Sequence, residues 1–338
     1  MGETTDGQVD DGVELRPLEP ADTPGLRELI ERCYGDAYPK RVVYEPDALA
    51  KLIRSGEHSG VVAVSGEEVV GHMAYTWPDP DATVVEAGTT VVDPEWRGRG
   101  LMNRLALALA EQLVADGAAG FIHFPTTAHP VMQKASLSAG GKETGILIAY
   151  LPPGLQEPGG DEAGDRRLAV TVVYQPVVEA PAQRIHLPTR HAELILGLAG
   201  ELGLSREPAE GSGPADDETR LERALDPQRD LERVRVERIG RDIPATMSSI
   251  LEDTDARLIH VDLPMDDPGI DEAVEALRPL GFGFAAWLPG WAGHDVLRLQ
   301  WIDRPAEADL SPDLYSPEAG ALMDLIRADL PGPDRKAL

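Results

Sequence analysis

Four consecutive residues, Arg97-Gly98-Arg99-Gly100, stand where a β-branched run at 83–92 gives way, through Asp93-Pro94-Glu95-Trp96, to a leucine- and alanine-rich stretch at 101–115. A strand, a glycine turn and the start of a long helix, in that order, suit one chemistry above others. The first turn of a helix presents N–H groups without intrahelical partners and the positive end of the helix dipole, so a phosphate or pyrophosphate is stabilised there. Glycines at 98 and 100 let the backbone approach an anion with no Cβ between them, and Arg97 and Arg99 add charge-assisted donors. No Gly-Lys-Ser/Thr follows, which excludes a Walker loop, and the glycine spacing is not that of a dinucleotide fingerprint. A solvated turn capped by glycine is the plainer reading of the same residues. Two further side chains can handle a proton. Glu86 is the only charged residue in the run 83–92 and, by two-residue alternation, shares a face with Gly88, Thr90 and Val92. It is either a base or a rim carboxylate at a strand end. His129, just before Pro130, is a base, a substrate-orienting group or an N-terminal helix cap. His72 and His123 lie in apolar runs and are expected as core histidines.

These side chains need a sheet and helices to hold them. Hydrophobic periodicity predicts a short strand at 13–17, helices at 23–33 and 46–54, a hairpin from 61–64 to 68–77 across Ser65-Gly66-Glu67, and a strand at 83–92. A helix at 101–115, ended by Gly117, leads to a strand at 120–124, a helix at 129–139 and strands at 144–151 and 168–177. The Gly-, Pro- and acid-rich loop at 152–165 is expected to be mobile. Further on, a helix is expected at 192–204, a disordered stretch at 205–219, strands at 234–239 and 245–251, a helix at 270–280, a strand at 296–302 and a short helix at 317–328. The second half repeats part of the first. Ile122-His123 recurs as Ile259-His260 and Ala149-Tyr150-Leu151-Pro152 as Ala286-Trp287-Leu288-Pro289, both at an offset of 137 (259 − 122 and 286 − 149), which points to a duplicated strand-helix-strand unit.

A chain of 338 residues suggests about two domains. With 59 acidic against 31 basic residues the net charge is −28, which repels nucleic acid and anionic membranes. The same field attracts a cationic or amine-bearing substrate, or simply serves solubility. Cys33 is the only cysteine, so no intrachain disulfide and no thiolate metal site can form; no metal is expected, and a reducing, cytoplasmic setting fits. No run approaches the ~20 apolar residues of a membrane span.

The stretch from Val91 to Met102 resembles the GNAT superfamily of N-acetyltransferases, whose pyrophosphate loop reads Arg/Gln-x-x-Gly-x-Gly/Ala; Arg97, Gly100 and Met102 take those slots, with Met102 where a small residue is usual. The resemblance covers about 13–177. It implies an α+β fold, a mixed and mostly antiparallel central sheet flanked by helices, and acetyl-CoA or another acyl-CoA as cofactor. It also implies that backbone groups of Val91 and Val92 pair with the pantetheine arm and that the amides of Arg99, Gly100, Leu101, Met102 and Asn103 hold the pyrophosphate beside Arg97 and Gly98. Cys33-Tyr34-Gly35-Asp36-Ala37-Tyr38 and Thr127-Ala128-His129-Pro130-Val131-Met132-Gln133 resemble a bacterial branch of the family with a C-terminal extension. On that reading residues 1–12 are a disordered N-terminus and 13–180 the catalytic domain. Residues 181–305 are then a smaller, degenerate GNAT-like α/β half without a second acyl-CoA, which covers the substrate cleft or forms a homodimer contact, and 306–338 are a C-terminal helix and tail.

Acyl transfer to an amine needs the amine neutral, a polarised thioester carbonyl and a thiolate able to leave. Glu86, near where these enzymes often place a glutamate, is the first candidate for the base, and His129 the second. Tyr34 and Tyr38 either line an acceptor pocket or bury their rings under the sheet. The tyrosine that many family members use to protonate the thiolate is missing from 133–138, and Ser136 falls near its slot. The expected function is N-acyl transfer from an acyl-CoA to a primary amine, on a small molecule or a protein. A catalytically silent acyl-CoA-binding or sensor module is the alternative, and a structural protein the third reading.

Overall fold

Apolar spacing and glycine placement build two compact units. The computed structural model describes residues 12–36, 38, 40–152, 167–303 and 312–330. One unit holds residues up to 76 together with 87–116; the other holds 77–86 and everything from 117. The predicted division at 180 follows the internal resemblance instead. The loop at 152–165 lies, from 153, outside the described residues, as do residues 1–11.

In the first unit, β1 (Val13–Pro17), β2 (His58–Ser65) and β3 (Glu68–Thr76) are antiparallel neighbours, and β4 (Val84–Val92) contributes its residues from 87 onward. Helices α1 (Thr23–Tyr34) and α2 (Pro46–Ser55) bury Leu26, Leu29, Ile30 and Leu49 with Val62 and Val69 of the strands. Helix α3 (Leu101–Ala115) buries Leu101, Leu105, Leu109 and Leu113, one residue per turn along a single stripe. Burying each is worth about 1.5–3 kcal/mol. The stripe reaches the sheet at Gly71, where an added Cβ would lie 3.0 Å from Leu105 and 3.4 Å from Leu101.

In the second unit the sheet continues through β5 (Gly120–His123), β6 (Lys142–Leu151) and β7 (Leu168–Pro176), after helix α4 (Val131–Ser138). A two-stranded parallel pair, β8 (Gln183–Ile185) and β9 (Arg206–Pro208), flanks α5 (Ala192–Glu201). Then come β10 (Arg220–Asp226), β11 (Leu231–Arg238), α6 (Ile243–Asp253), β12 (Leu258–Pro264), α7 (Ile270–Leu277), β13 (Gly283–Leu288), β14 (Val296–Ile302) and α8 (Pro317–Asp329). From the start of β4 the strand order is β5, β7, β6, β13, β14, β12, β11, β10. It reads as one pattern met back to back. β5 lies parallel to β4 and antiparallel to β7, which pairs antiparallel with β6; β12 lies parallel to β11 and antiparallel to β14, which pairs antiparallel with β13. With α4 and α7 in corresponding places, the repeat read at offset 137 is a topological one. The copies meet at Gly145 opposite Ala286, where an added Cβ would lie 2.2 Å from the Ala285 carbonyl oxygen. The fully buried Gln300 joins them, donating to Ile146 O and Phe284 O (both 3.1 Å) and accepting from Ile148 N–H (2.9 Å). The architecture is α+β, mixed and mostly antiparallel, as expected.

Two sequence expectations fail. Residues 245–251 are helical within α6, because Ile243, Met247 and Ile250 share one helix face and Pro244 pre-sets the first turn. Residues 205–219 are structured: Arg206 makes a buried ion pair with Asp295 (Nε–Oδ2 2.7 Å) and residues 216–219 bond to the start of α6. Asp295, fully buried, also accepts from Trp287 Nε1–H (3.1 Å) and Gly290 N–H (2.9 Å).

Arg206→Ala should therefore destabilise the second unit by about 3–5 kcal/mol in urea unfolding, since it strands a buried carboxylate; a loss below 1 kcal/mol would contradict this. Acid is a second probe. Burial pushes His72 down to about 4, and burial with Lys40 and His72 pushes His58 down to about 3. The unfolded chain takes up these protons near pH 6.5 and the native chain does not, so this stability is complete above pH 6.5 and declines as pH falls toward 4. The urea midpoint of the first unit should drop between pH 7 and 5, and His72→Gln should flatten that drop.

Candidate active site

The loop after β4 is built from its flanks inward. Asp93 is buried; its Oδ1 accepts the Glu95 N–H (2.9 Å), its Oδ2 pairs with Arg32 Nε (2.8 Å), and its own N–H donates to Val70 O (2.9 Å). Arg97 Nε donates to Val92 O (3.3 Å), and the Arg99 guanidinium sits 4.7 Å from the centre of the Trp96 ring. Gly98 and Gly100 both have φ of +74°, a region that favours glycine, and an added Cβ at either would meet nothing within 4 Å. The N–H groups of Asn103 and Arg104 donate to Gly100 O (3.1 and 3.2 Å). The amides at 98–102 have no backbone acceptor among the described residues, so the helix start offers a run of amides beside two exposed guanidiniums. That set fits a pyrophosphate, with Asn103 contributing to the turn through its amide and not to the free run. Val91 and Val92 are buried, and Val92 O also accepts from Cys33 Sγ–H (3.8 Å).

The second copy answers the same need differently. At the start of α6, which follows β11 as α3 follows β4, the Arg241 and Asp242 N–H groups donate to Asp216 O (3.1 Å) and Asp217 O (3.2 Å). Gly240 N–H donates to Thr219 Oγ1 (3.1 Å), and an added Cβ on Gly240 would lie 2.2 Å from Glu218. Arg241 pairs with Asp217 and Arg238 with Asp216. The chain's own acidic segment satisfies this helix start.

Glu86 is half-buried and ends the ladder between β4 and β5, which runs from Val84–Gly120 to Glu86–Ile122. Three residues later Thr89 adopts φ +50°, rare for a β-branched residue. Simple alternation from Glu86 to Val92 is interrupted there, so the shared face read from spacing does not carry through the strand. His129 is half-buried and precedes α4, whose N-cap position is Pro130. Ser136 Oγ–H donates to Met132 O (2.7 Å), which engages the hydroxyl nearest the missing tyrosine's slot. Tyr34 and Tyr38 contact edge to face (ring centres 4.8 Å apart) and pack partly buried against the first unit's core. His72 is fully buried with Nδ1 3.0 Å from Val61 O, and burial pushes His123 down to about 4, as core histidines.

Sequence reasoning missed Tyr150, Arg229, His260 and Arg298, which gather in the second unit. The Tyr150 and His260 rings stack (5.8 Å, 8° between planes), and the Arg229 guanidinium lies 4.9 Å from the Tyr150 ring centre. Arg298 forks onto Asp262 with two bonds of 2.7 Å. Burial opposes both guanidinium charges, yet Tyr150 and Asp226 hold the Arg229 pKa above the ordinary and Asp262 and Tyr150 hold that of Arg298 above it, Glu86 adding least to each. The signal was present: Tyr150 and His260 are both residues of the repeated motifs.

Residues 23–134 match the model of the Acetyltransferase (GNAT) family. No curated protein matches the chain. Among solved structures, the ribosomal-protein-S18-alanine N-acetyltransferase from Escherichia coli is 17% identical, aligned over 50% of this chain and 96% of its own, with a TM-score of 0.38. A phosphinothricin acetyltransferase from Sinorhizobium meliloti in complex with AcCoA is 23% identical over 51% and 92%, TM-score 0.39. An acetyltransferase from Salmonella typhimurium, determined with its cofactor acetyl-CoA, is 17% identical over 51% and 97%, TM-score 0.41. The loop at 97–100 and the strand and helix on either side of it fall inside the matched segment, and residues 23–134 are an acetyltransferase domain of the GNAT family.

Proposed function

We propose that the protein is an N-acyltransferase that moves the acyl group of acetyl-CoA, or of a related acyl-CoA, to a primary amine by direct attack. One observation carries the reading: the run of amides at 98–102, flanked by Arg97 and Arg99, at the start of α3 within the matched family segment. Acyl-CoA supplies a thioester carbonyl and a thiol leaving group of pKa about 8.5. The amides of Arg99, Gly100, Leu101 and Met102 hold the pyrophosphate, and Gly98 and Gly100 keep the approach open. Backbone groups of Val91 and Val92 at the end of β4 align the pantetheine arm. Val92 O is already engaged by Arg97 and Cys33, which fixes the strand end against the loop.

Glu86 takes the proton from the attacking ammonium, directly or through water. It stands at the end of the β4–β5 ladder and is half-buried, the setting of a base that an amine approaches from the strand end. His129 is the second candidate for this step, and Tyr34 and Tyr38 shape the acceptor side of the first unit. Ser136 is bonded to the preceding helical turn, so the thiol departs as a thiolate without a side-chain acid from that helix. The single cysteine suits a reducing, cytoplasmic setting.

Glu86→Gln should lower kcat by about 10²–10⁴, the usual range for a lost general base, with the thermal shift produced by coenzyme A unchanged. Full activity in this variant removes Glu86 as the base. Arg97→Ala should raise the acetyl-CoA KM by roughly tenfold, as for one lost charge-assisted bond, with a smaller change in kcat. An unchanged KM would take Arg97 out of the phosphate site.

A further inference from the structure

The second unit assembles positive charge and unsatisfied donors around the Tyr150 ring, in a chain whose net charge is −28. His260 is 2% exposed, and both of its ring nitrogens lack a hydrogen-bond partner. Leaving a buried polar group unpaired costs about 1–3 kcal/mol. Arg229 Nε is likewise buried without a partner, while its Nη1 pairs with Asp226 (2.9 Å), a carboxylate it shares with Arg233 (3.0 Å). Arg298 is held by Asp262 and lies 5.7 Å from the Trp291 ring centre. The backbone is strained at the same place. Ala149 (φ +57°) precedes Tyr150 and Asp230 (φ +51°) follows Arg229, both non-glycine residues in the left-handed region. The β6–β7 register slips between Leu147 and Leu151, so the kink re-aims Tyr150, and Arg167 Nε–H donates to Ala149 O (2.7 Å) to hold it. Strain of this kind persists where surrounding structure over-determines it, and it gathers at binding and catalytic sites.

We infer that the Tyr150–Arg229–His260–Arg298 cluster binds the carboxylate of the acyl acceptor, so that the acceptor is a small zwitterionic amine of the amino-acid class, with its ammonium at Glu86. The inference rests on the transferase reading and names the substrate class of the same site. Charge decides between ligand classes. Arg229 and Arg233 pair with Asp226 and Arg298 with Asp262, Arg167 reaches the Ala149 and Arg229 carbonyls, and Glu86 acts electrostatically on Arg229 and Arg298, so four guanidiniums stand against three carboxylates. A zwitterion places its carboxylate on the guanidiniums and its ammonium on Glu86, and adds no net charge. A polyamine sets cations against Arg229 and Arg298, and a phosphate dianion leaves excess negative charge beside Glu86. A carboxylate also gives Arg229 Nε–H and a His260 ring N–H the acceptors they lack, and Tyr150 with Trp291 supplies the apolar wall that strengthens those bonds.

The test compares kcat/KM with acetyl-CoA, on the full chain, for L-amino acids, their α-amides, the matching decarboxylated amines and O-phosphoethanolamine. The acids should be favoured over the amides and plain amines by about tenfold or more, the expectation for one charge-assisted contact. α-Amino amides lose their proton more readily than the acids, so the comparison is biased against this result. Arg229→Gln should collapse the preference toward unity through the acceptor KM, with the KM for acetyl-CoA unmoved. Amides used as well as acids, or a preference that survives Arg229→Gln, overturns the inference; O-phosphoethanolamine surpassing every amino acid replaces the carboxylate by a phosphate and overturns it too. Thermal shift with millimolar L-amino acids against their amides, without acetyl-CoA, separates this from the transferase reading. An acid-selective shift that Arg229→Gln abolishes supports the pocket even if no amine is acylated, and equal shifts for acids and amides count against it.

Discussion

Backbone amides at the start of a helix must find acceptors, and this chain meets that requirement in two opposite ways. At α6 the acceptors are the chain's own: Asp216 O and Asp217 O take the Arg241 and Asp242 amides, and Gly240 is packed so tightly under Glu218 that no side chain would fit. At α3 the amides at 98–102 have no backbone acceptor among the described residues, and the two glycines beside them are open. The two starts hold corresponding places in a repeated topology, so the comparison is internal to one molecule. A helix start with unsatisfied amides, two arginines and room for an anion suits a diphosphate; the same start closed over acidic backbone does not.

The chemistry depends on where the sheet stops being regular. β4 pairs with β5 only from Val84 to Glu86, and Thr89 then adopts a left-handed backbone. Within the second unit the repeat juxtaposes residues that neither copy holds alone. Tyr150, on β6, belongs to the first copy and His260, on β12, to the second, and their rings stack. The second copy, whose helix start is closed by its own backbone, contributes His260 and Arg298 to this cluster.

Much of this was legible in the residues. The leucine stripe of α3 falls at 101–115 as its periodicity says, because four leucines at four-residue spacing leave no other regular arrangement. The loop at 97–100 was legible because arginines between glycines at a strand-to-helix junction have few structural uses. Residues 245–251 misled because Thr246, Ser248 and Ser249 weaken the helical signal of a short run, and packing of Met247 and Ile250 decides for a helix. β10 was invisible: Arg220–Asp226 is mostly polar and exposed, so no apolar alternation marks it. Arg229 and Arg298 were unreadable as a pair, since they lie far apart in sequence and only the fold sets them around the Tyr150 and Trp291 rings. Tyr150 and His260 stood inside repeated motifs, but repetition speaks of topology and says nothing of which side chains meet.

The account stands or falls on the asymmetry between the two helix starts. Titration calorimetry of the full chain with coenzyme A should give one site per chain, and that site should weaken in Arg97→Ala and persist in Arg241→Ala. No measurable heat, two equivalent sites, or a single site lost with Arg241 instead of Arg97 would contradict it.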